Sequence, residues 1–303
     1  MARITYVPEA AVEEDDLDQS LLEVSIKHGI PLTHVCGGNA RCSTCRVLVL
    51  ENPANFCPRN EKEQELADRR GFQPCVRLAC QTHVIGDVTV RPLVIDTRDR
   101  ALVDIEDQQA IGREANVAVL FSDIRNFTPF AERNLPYDVI HILNRYFQTH
   151  GEAVVANGGY IDKYMGDGMM ALFGLDGDDA EAACVAALRA AEAMVAALGP
   201  INEYVGRFFG ETFHIGIGVH YGPAVVGQIG YPGKRQFTAI GDTVNTASRI
   251  ESATKECGVT VLVSEAVAKA VGDLLGAGRT FDVRLKGKME PMQLREFVGF
   301  AGQ

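Results

Sequence analysis

No stretch of this 303-residue chain approaches the roughly 18 consecutive apolar residues of a membrane-spanning helix. Its first segment, Met1 to Asp16, lacks the basic start and apolar run of a signal peptide. The expectation is therefore a cytoplasmic protein with no membrane partner. The most apolar piece, Ala182–Leu198, is interrupted by Arg189 and Glu192 and reads as a soluble helix. Positive charge is also scarce: 29 Lys and Arg stand against 40 Asp and Glu, a net charge of −11. Such a field excludes nucleic acid and anionic membrane as partners of the surface as a whole, while a local basic patch can still cradle a phosphate. Dense charge blocks, internal repeats and low-complexity segments are missing. With 47% hydrophobic and 23% charged residues, the composition excludes a disordered, collagen-like or coiled-coil chain. The length is about twice that of a common single domain, so two domains are expected.

The texture of the chain places the boundaries. Residues 1–95 hold short β-like pieces, Ile4–Val7, Arg46–Leu50 and Asp87–Val90, around one helix-like piece, Ser20–His28. Residues 96–112 are charged with weak periodicity and read as a linker. From 113 to 303 strands and helices alternate. Val117–Phe121 reads as a buried strand and Tyr137–Val155 as a helix. Tyr160–Tyr164 and Met169–Phe173 read as a hairpin around an Asp-Gly turn, and Ala180–Leu198 as a long helix. Phe213–His220 is a strand, Thr243–Thr254 a helix, Val259–Val263 a strand, and Phe281–Leu285 with Gln293–Val298 a closing strand pair. This order predicts an α+β fold.

Cysteine is plentiful for a reducing compartment, and eight such residues there are expected as ligands or buried thiols rather than disulfides. Cys36, Cys42, Cys45 and Cys80 follow the spacing C-x5-C-x2-C-x34-C. Three thiolates on one loop and a fourth from afar suit a 2Fe-2S cluster. A zinc site made of the same four thiolates is the rival, although a zinc ribbon normally has two CxxC knuckles and only Cys42–Cys45 forms one. With Arg77-Leu78-Ala79-Cys80-Gln81, this text resembles the β-grasp ferredoxins, in the adrenodoxin-like and related bacterial branch, over residues 1–95. The resemblance implies a one-electron carrier with an electron-transfer partner. Cys57, Cys75, Cys184 and Cys257 match no ligand position and are expected as small buried hydrophobes.

In the second half, Asp123 follows the strand Val117–Phe121 and Asp167 sits in Tyr164-Met165-Gly166-Asp167-Gly168. Singly, Asp167 reads as a turn residue and Asp123 as a helix cap. Together, carboxylates at a strand end and a neighbouring hairpin tip suit two hard divalent cations, Mg2+ or Mn2+. In Phe237-Thr238-Ala239-Ile240-Gly241-Asp242-Thr243-Val244-Asn245-Thr246-Ala247-Ser248-Arg249, a helix from Thr243 puts Asn245 and Arg249 on one face. An amide beside a guanidinium suits a ribose and a phosphate.

These segments, with Gly222–Gly230 and Leu285-Lys286-Gly287-Lys288, resemble the catalytic domain of class III nucleotidyl cyclases, a ferredoxin-like, palm-type α+β fold. The resemblance implies two cations per active site, held by Asp123, Asp167 and the backbone carbonyl of Ile124. Lys163 and Thr238 take the base-reading positions, Asn245 the ribose, Arg249 the α-phosphate, and Lys286 or Lys288 the terminal phosphates. Many members have Asp where this chain has Thr238. Lys163 can donate to adenine N1 and the Thr238 hydroxyl can accept from N6, so ATP is favoured over GTP. The expected activity is an adenylate cyclase that forms 3′,5′-cyclic AMP and pyrophosphate. It would be regulated by an N-terminal 2Fe-2S cluster and would work as a homodimer with each site shared between two chains. The rivals are an electron-transfer ferredoxin with a degenerate cyclase module and a diguanylate-forming enzyme. Gly168 after Asp167 breaks the signature of the latter.

Overall fold

The alternation of Ala2-Arg3-Ile4-Thr5-Tyr6 turns Ala2, Ile4 and Tyr6 inward and makes this segment the strand β1 (Ala2–Tyr6). In the computed structural model, which describes residues 1–94, 112–177, 179–231, 234–288 and 290–302, β1 opens the first of two units, 1–113 and 114–303. The expected linker, 96–112, lies outside the described residues except for Gly112.

The first unit continues with β2 (Ala10–Glu14), α1 (Leu21–Lys27), β3 (Arg46–Glu51), α2 (Glu61–Arg70), β4 (Val76–Leu78) and β5 (Val88–Pro92). Its sheet runs β2-β1-β5-β3-β4, with β1 and β5 parallel and Ile4 opposite Val88. Ser20 caps α1 reciprocally with Glu23, and Leu21, Leu22 and Val24 bury its inner face against Tyr6, Val47 and Val90. This is the β-grasp arrangement. Helix α2 has no apolar periodicity in its sequence, because one of its buried positions is the charged Glu63.

The second unit is built on β6 (Arg113–Ile124), α3 (Phe127–Arg133), α4 (Pro136–Ala156), β7 (Tyr160–Met165), β8 (Gly168–Phe173) and α5 (Ala180–Phe209). It continues with β9 (Ile215–Tyr231), β10 (Lys234–Ile240), α6 (Asp242–Cys257), β11 (Val261–Ser264), α7 (Glu265–Val271), β12 (Thr280–Val283) and β13 (Met292–Glu296). The sheet order is β12-β13-β11-β9-β6-β8-β7, and β10 pairs with the far half of β9. Both faces of β6 are covered. Ala118 and Leu120 join Tyr146 of α4, Leu188 of α5 and Val267 of α7 in one core. Val117, Val119 and Phe121 join Met170, Val226 and Ala247 of α6 in the other.

Two features differ from the sequence expectation for reasons of packing. Helix α5 runs on past Leu198 and through Pro200 to Phe209, because Ile201 and Val205 are buried and the lost backbone bond at proline is outweighed. By length and composition α5 could cross a membrane, but Cys184, Leu188, Met194 and Val205 lie within the core of this unit. The β7–β8 turn consists of Gly166 and Asp167, with Met165 paired to Gly168. Gly166, at φ +63°, supplies the positive φ of a tight hairpin, so the turn is Gly-Asp rather than Asp-Gly. Gly218 in β9 matters differently. A Cβ there would stand 2.1 Å from the backbone nitrogen of Glu251, so its absence lets α6 lie directly on the sheet.

Candidate functional site

The cluster loop of the first unit brings its cysteines together in pairs. The Cys45 thiol lies 3.5 Å from Cys80 Sγ, and the Cys36 thiol faces Cys42. In each pair the thiol of one cysteine supports the thiolate of the other. The Cys42 thiol lowers the pKa of Cys36 to about 4, and the Cys45 thiol lowers that of Cys80 to about 7. Among the described residues no three His, Cys, Asp or Glu side chains converge on one point. Two thiol pairs match a pair of irons better than one tetrahedral zinc. Surrounding groups fix the loop. Thr44 Oγ1 accepts from the Val35 amide at 3.1 Å and touches Cys42 Sγ at 3.0 Å. Gln81 Nε2 donates to Gly38 O at 2.8 Å and reaches Cys80 Sγ at 3.5 Å. Of the remaining cysteines only Cys184 is fully buried; Cys57, Cys75 and Cys257 are half-exposed, the first two lying outside helices and strands and the third ending α6.

In the second unit Asp123, at the end of β6, and Asp167, at the hairpin tip, face each other. Burial and the neighbouring Asp167 carboxylate push Asp123 up to about 7, and burial raises Asp167 as well. The backbone N–H of Ile124 points to both carboxylates, while its side chain is buried in the core. Asp123 is part of the strand rather than a helix cap; Asn126 holds the N-cap position of α3, without a side-chain capping bond. Among the described residues no Lys or Arg forms an ion pair with either aspartate. Near them the hydroxyls of Ser122 and Tyr146 are buried. Two half-buried carboxylates lacking a protein counter-charge suit divalent cations.

Lys163 on β7 and Thr238 on β10, 75 residues apart in sequence, are joined directly: Lys163 Nζ donates to Thr238 Oγ1 at 3.0 Å. Behind them lies Asp162, whose side chain is fully buried. Asp162 Oδ2 accepts from the Thr238 hydroxyl at 3.0 Å and pairs with Lys163 Nζ at 3.1 Å.

Helix α6 carries Asn245, exposed, and Arg249, half-buried, one turn apart. Lys288 Nζ is held at 2.5 Å by Asp242 Oδ2 at the start of α6, and this contact keeps the Asp242 carboxyl below its usual range. A Cβ on the intervening Gly287 would sit 3.4 Å from an Arg249 Nη atom, so the loop folds over the arginine. Lys286 is exposed. The site residues thus fall into three bonded or neighbouring sets: the aspartates, the Lys163–Thr238 pair, and Asn245, Arg249 and Lys288. Among the described residues no hydrogen bond or ion pair links the three groups.

Asp162, Thr44 and Gln81 were not legible as site residues. Asp162 neighbours Lys163, and in a regular strand adjacent side chains point to opposite faces. A bulge at this point pairs Ile161 with Ala171 and Lys163 with Met170, which lets both residues reach Thr238.

Comparison with known proteins bears on both units. The model of the adenylate and guanylate cyclase catalytic domain matches residues 110–295, and that of the 2Fe-2S iron-sulfur cluster binding domain matches residues 6–84. An adenylate cyclase of Anabaena cylindrica is 38% identical over 191 residues, 59% of this chain and 36% of that protein. Adenylate cyclase 1 of Rhizobium meliloti is 35% identical over 201 residues, 64% of this chain and 30% of that protein. The chain spans about a third of the length of these curated relatives. Among solved structures, the guanylyl cyclase Cya2 superposes with a TM-score of 0.58 at 30% identity, covering 63% of this chain and 95% of that one. The adenylyl cyclase CyaB from P. aeruginosa gives 0.57 at 28%, covering 62% and 95%.

Proposed function

The chain belongs to the adenylate and guanylate cyclase catalytic domain family and carries a 2Fe-2S cluster binding domain at residues 6–84, and from this we propose that it is an adenylate cyclase under control of its cluster. The 3′-oxygen of ATP attacks the α-phosphorus and the bond to the β-phosphate bridge breaks. Cyclic AMP forms, and the hydroxyl proton is carried off with the diphosphate. Two divalent cations, Mg2+ or Mn2+, held by Asp123, Asp167 and the carbonyl of Ile124, supply charge neutralisation at the attacking oxygen and the phosphates when bound. Lys163 donates to adenine N1 and Thr238 accepts from its 6-amino group. Asn245 orients the ribose. Arg249 opposes charge on the α-phosphate, and Lys288, once released from Asp242, or the exposed Lys286 meets the terminal phosphates.

The observation that carries the choice of ATP is the bond between Lys163 and Thr238 at 3.0 Å, which presents a donor beside an acceptor, the complement of adenine N1 and N6. This distinction matters because the solved relatives include guanylyl as well as adenylyl cyclases. The lack of any hydrogen bond or ion pair joining the three sets among the described residues supports a homodimer with each site shared between copies. So do the exposed apolar residues Tyr164, Met165, Val225, Ile229 and Ile240 on β7, β9 and β10. The protein is read as cytoplasmic. Regulation through an electron-transfer partner of the cluster is consistent with the paired thiols of the first unit.

A single experiment tests this reading: purified anaerobic protein is given ATP or GTP with Mg2+ or Mn2+, with the cluster oxidised and then reduced by dithionite. Cyclic AMP is expected from ATP, at a rate that differs between the two cluster states. A preference for GTP refutes the base assignment, and equal rates in both states refute the regulatory one.

A further inference from the structure

We propose that Asp162 is the specificity-determining positioning residue of the base site, fixing the Thr238 hydroxyl as a hydrogen-bond acceptor and thereby selecting a 6-amino purine over a 6-oxo purine. The inference rests on the base-reading roles of Lys163 and Thr238. A threonine hydroxyl is ambidextrous: it has one hydrogen to donate and two lone pairs to accept with, and it rotates to suit its partner. Left free, it would accept from the amino group of adenine and donate equally well to the carbonyl oxygen of guanine or hypoxanthine. Thr238 by itself therefore does not discriminate.

In this structure the hydroxyl is not free. Its hydrogen is committed to Asp162 Oδ2 at 3.0 Å, and one lone pair is taken by Lys163 Nζ at 3.0 Å. What remains toward a ligand is a single lone pair, which suits an N–H and repels a carbonyl. Asp162 Oδ2 also lies 3.1 Å from Lys163 Nζ, so one carboxylate oxygen positions both base readers.

Three further features set Asp162 apart from ordinary packing. Its side chain is fully buried, yet its other oxygen, Oδ1, has no hydrogen-bond partner among the described residues. An unpaired buried carboxylate oxygen is costly. The β7 bulge between Ile161 and Lys163 aims both residues at Thr238. Finally, Gln236 Nε2 donates to the Asp162 carbonyl at 2.7 Å and fastens β10 to β7 behind the hydroxyl.

The test compares kcat/KM for ATP with that for inosine triphosphate, in which a carbonyl replaces the 6-amino group. Wild-type protein is expected to prefer ATP. Asp162→Ala should lower that preference by about tenfold, the weight of one hydrogen bond, whereas Asp162→Asn, which keeps an oxygen to accept from Thr238, should retain most of it. Equal loss with both nucleotides in Asp162→Ala would mean a merely structural role and overturns the proposal, as does an unchanged ratio. Thr238→Val removes only the relayed hydroxyl and must reproduce the lost preference. If it keeps the wild-type ratio, the proposal fails even where Asp162→Ala does not fold. A wild-type ratio near one overturns the base-reading assignment of Lys163 and Thr238 itself, and this inference with it, which distinguishes the two failures.

Discussion

Glu63 is the residue on which the cluster-binding segment hangs, and Glu63→Ala should cost the first unit much of its stability. The Glu63 carboxylate is 1% exposed and accepts from Arg77 Nε and Nη2, each at 2.9 Å, and from the Leu78 backbone N–H at 2.7 Å. The Thr82 hydroxyl lies 3.4 Å away. These contacts grip the chain on both sides of Cys80, whose neighbour Ala79 is tied to the Cys45 carbonyl at 3.1 Å. Removing the carboxylate strands a buried guanidinium, a loss of about 3–5 kcal/mol. It also strands the Leu78 N–H, which adds about 1–3 kcal/mol. The terms overlap, so a total near 5 kcal/mol is expected against a domain stability of about 5–10 kcal/mol. The assay is urea unfolding followed by the visible absorbance of the cluster. The midpoint should fall sharply with Glu63→Ala and recover in large part when Arg77 is also replaced by Leu, because no charge is then left uncompensated. A loss below about 1 kcal/mol in the single variant would refute the reasoning.

Three other outcomes follow from the geometry. Cys42→Ser should abolish cluster binding while Cys184→Ser leaves about two irons per chain, measured by iron analysis and absorbance; stoichiometric zinc in wild-type protein would contradict the paired-thiol reading. Asp123→Ala and Asn245→Ala proteins should each be nearly inactive, yet on mixing should recover at most about a quarter of wild-type activity, since random exchange makes half the dimers mixed, each with one intact site. No recovery despite demonstrated exchange would place each site within one chain. Burial lowers the His150 imidazole to about 4, whereas the unfolded chain takes up its proton near 6.5. This contribution to the stability of the cyclase unit is therefore full above about pH 6.5 and is lost progressively down to about pH 4, roughly 3 kcal/mol in all. In His150→Gln the fall in the urea midpoint between pH 7 and pH 5 should be visibly shallower; an unchanged slope would count against it.

Much of the molecule was readable because its signals are local. The helix-like piece Ser20–His28 contains α1 in the structure, and the apolar run Val117–Phe121 is a strand buried on both faces. The helix containing Asn245 and Arg249 follows from periodicity within its own residues. Where the reading fell short, the deciding contact is between distant segments. Helix α2 hides its inward position behind the charge of Glu63, which is tolerable only because Arg77 comes from β4 to meet it. Helix α5 passes through Pro200 because of the core that receives Ile201 and Val205.

The residue types, their spacing and hence the chemistry available were determined by the sequence alone: the C-x5-C-x2-C-x34-C set, Asp123, Asp167, Lys163, Thr238, Asn245 and Arg249. Only the tertiary structure decided how they are held. Backbone periodicity says which face a side chain takes in a regular strand, so it assigns Asp162 and Lys163 to opposite sides; a single-residue bulge cancels that rule and delivers both to Thr238, 75 residues further on than Lys163. Likewise Lys288 becomes distinct from Lys286 only through Asp242, 46 residues away. A local pattern encodes direction along one element, whereas proton positions and counter-charges at a site depend on which elements the fold sets side by side.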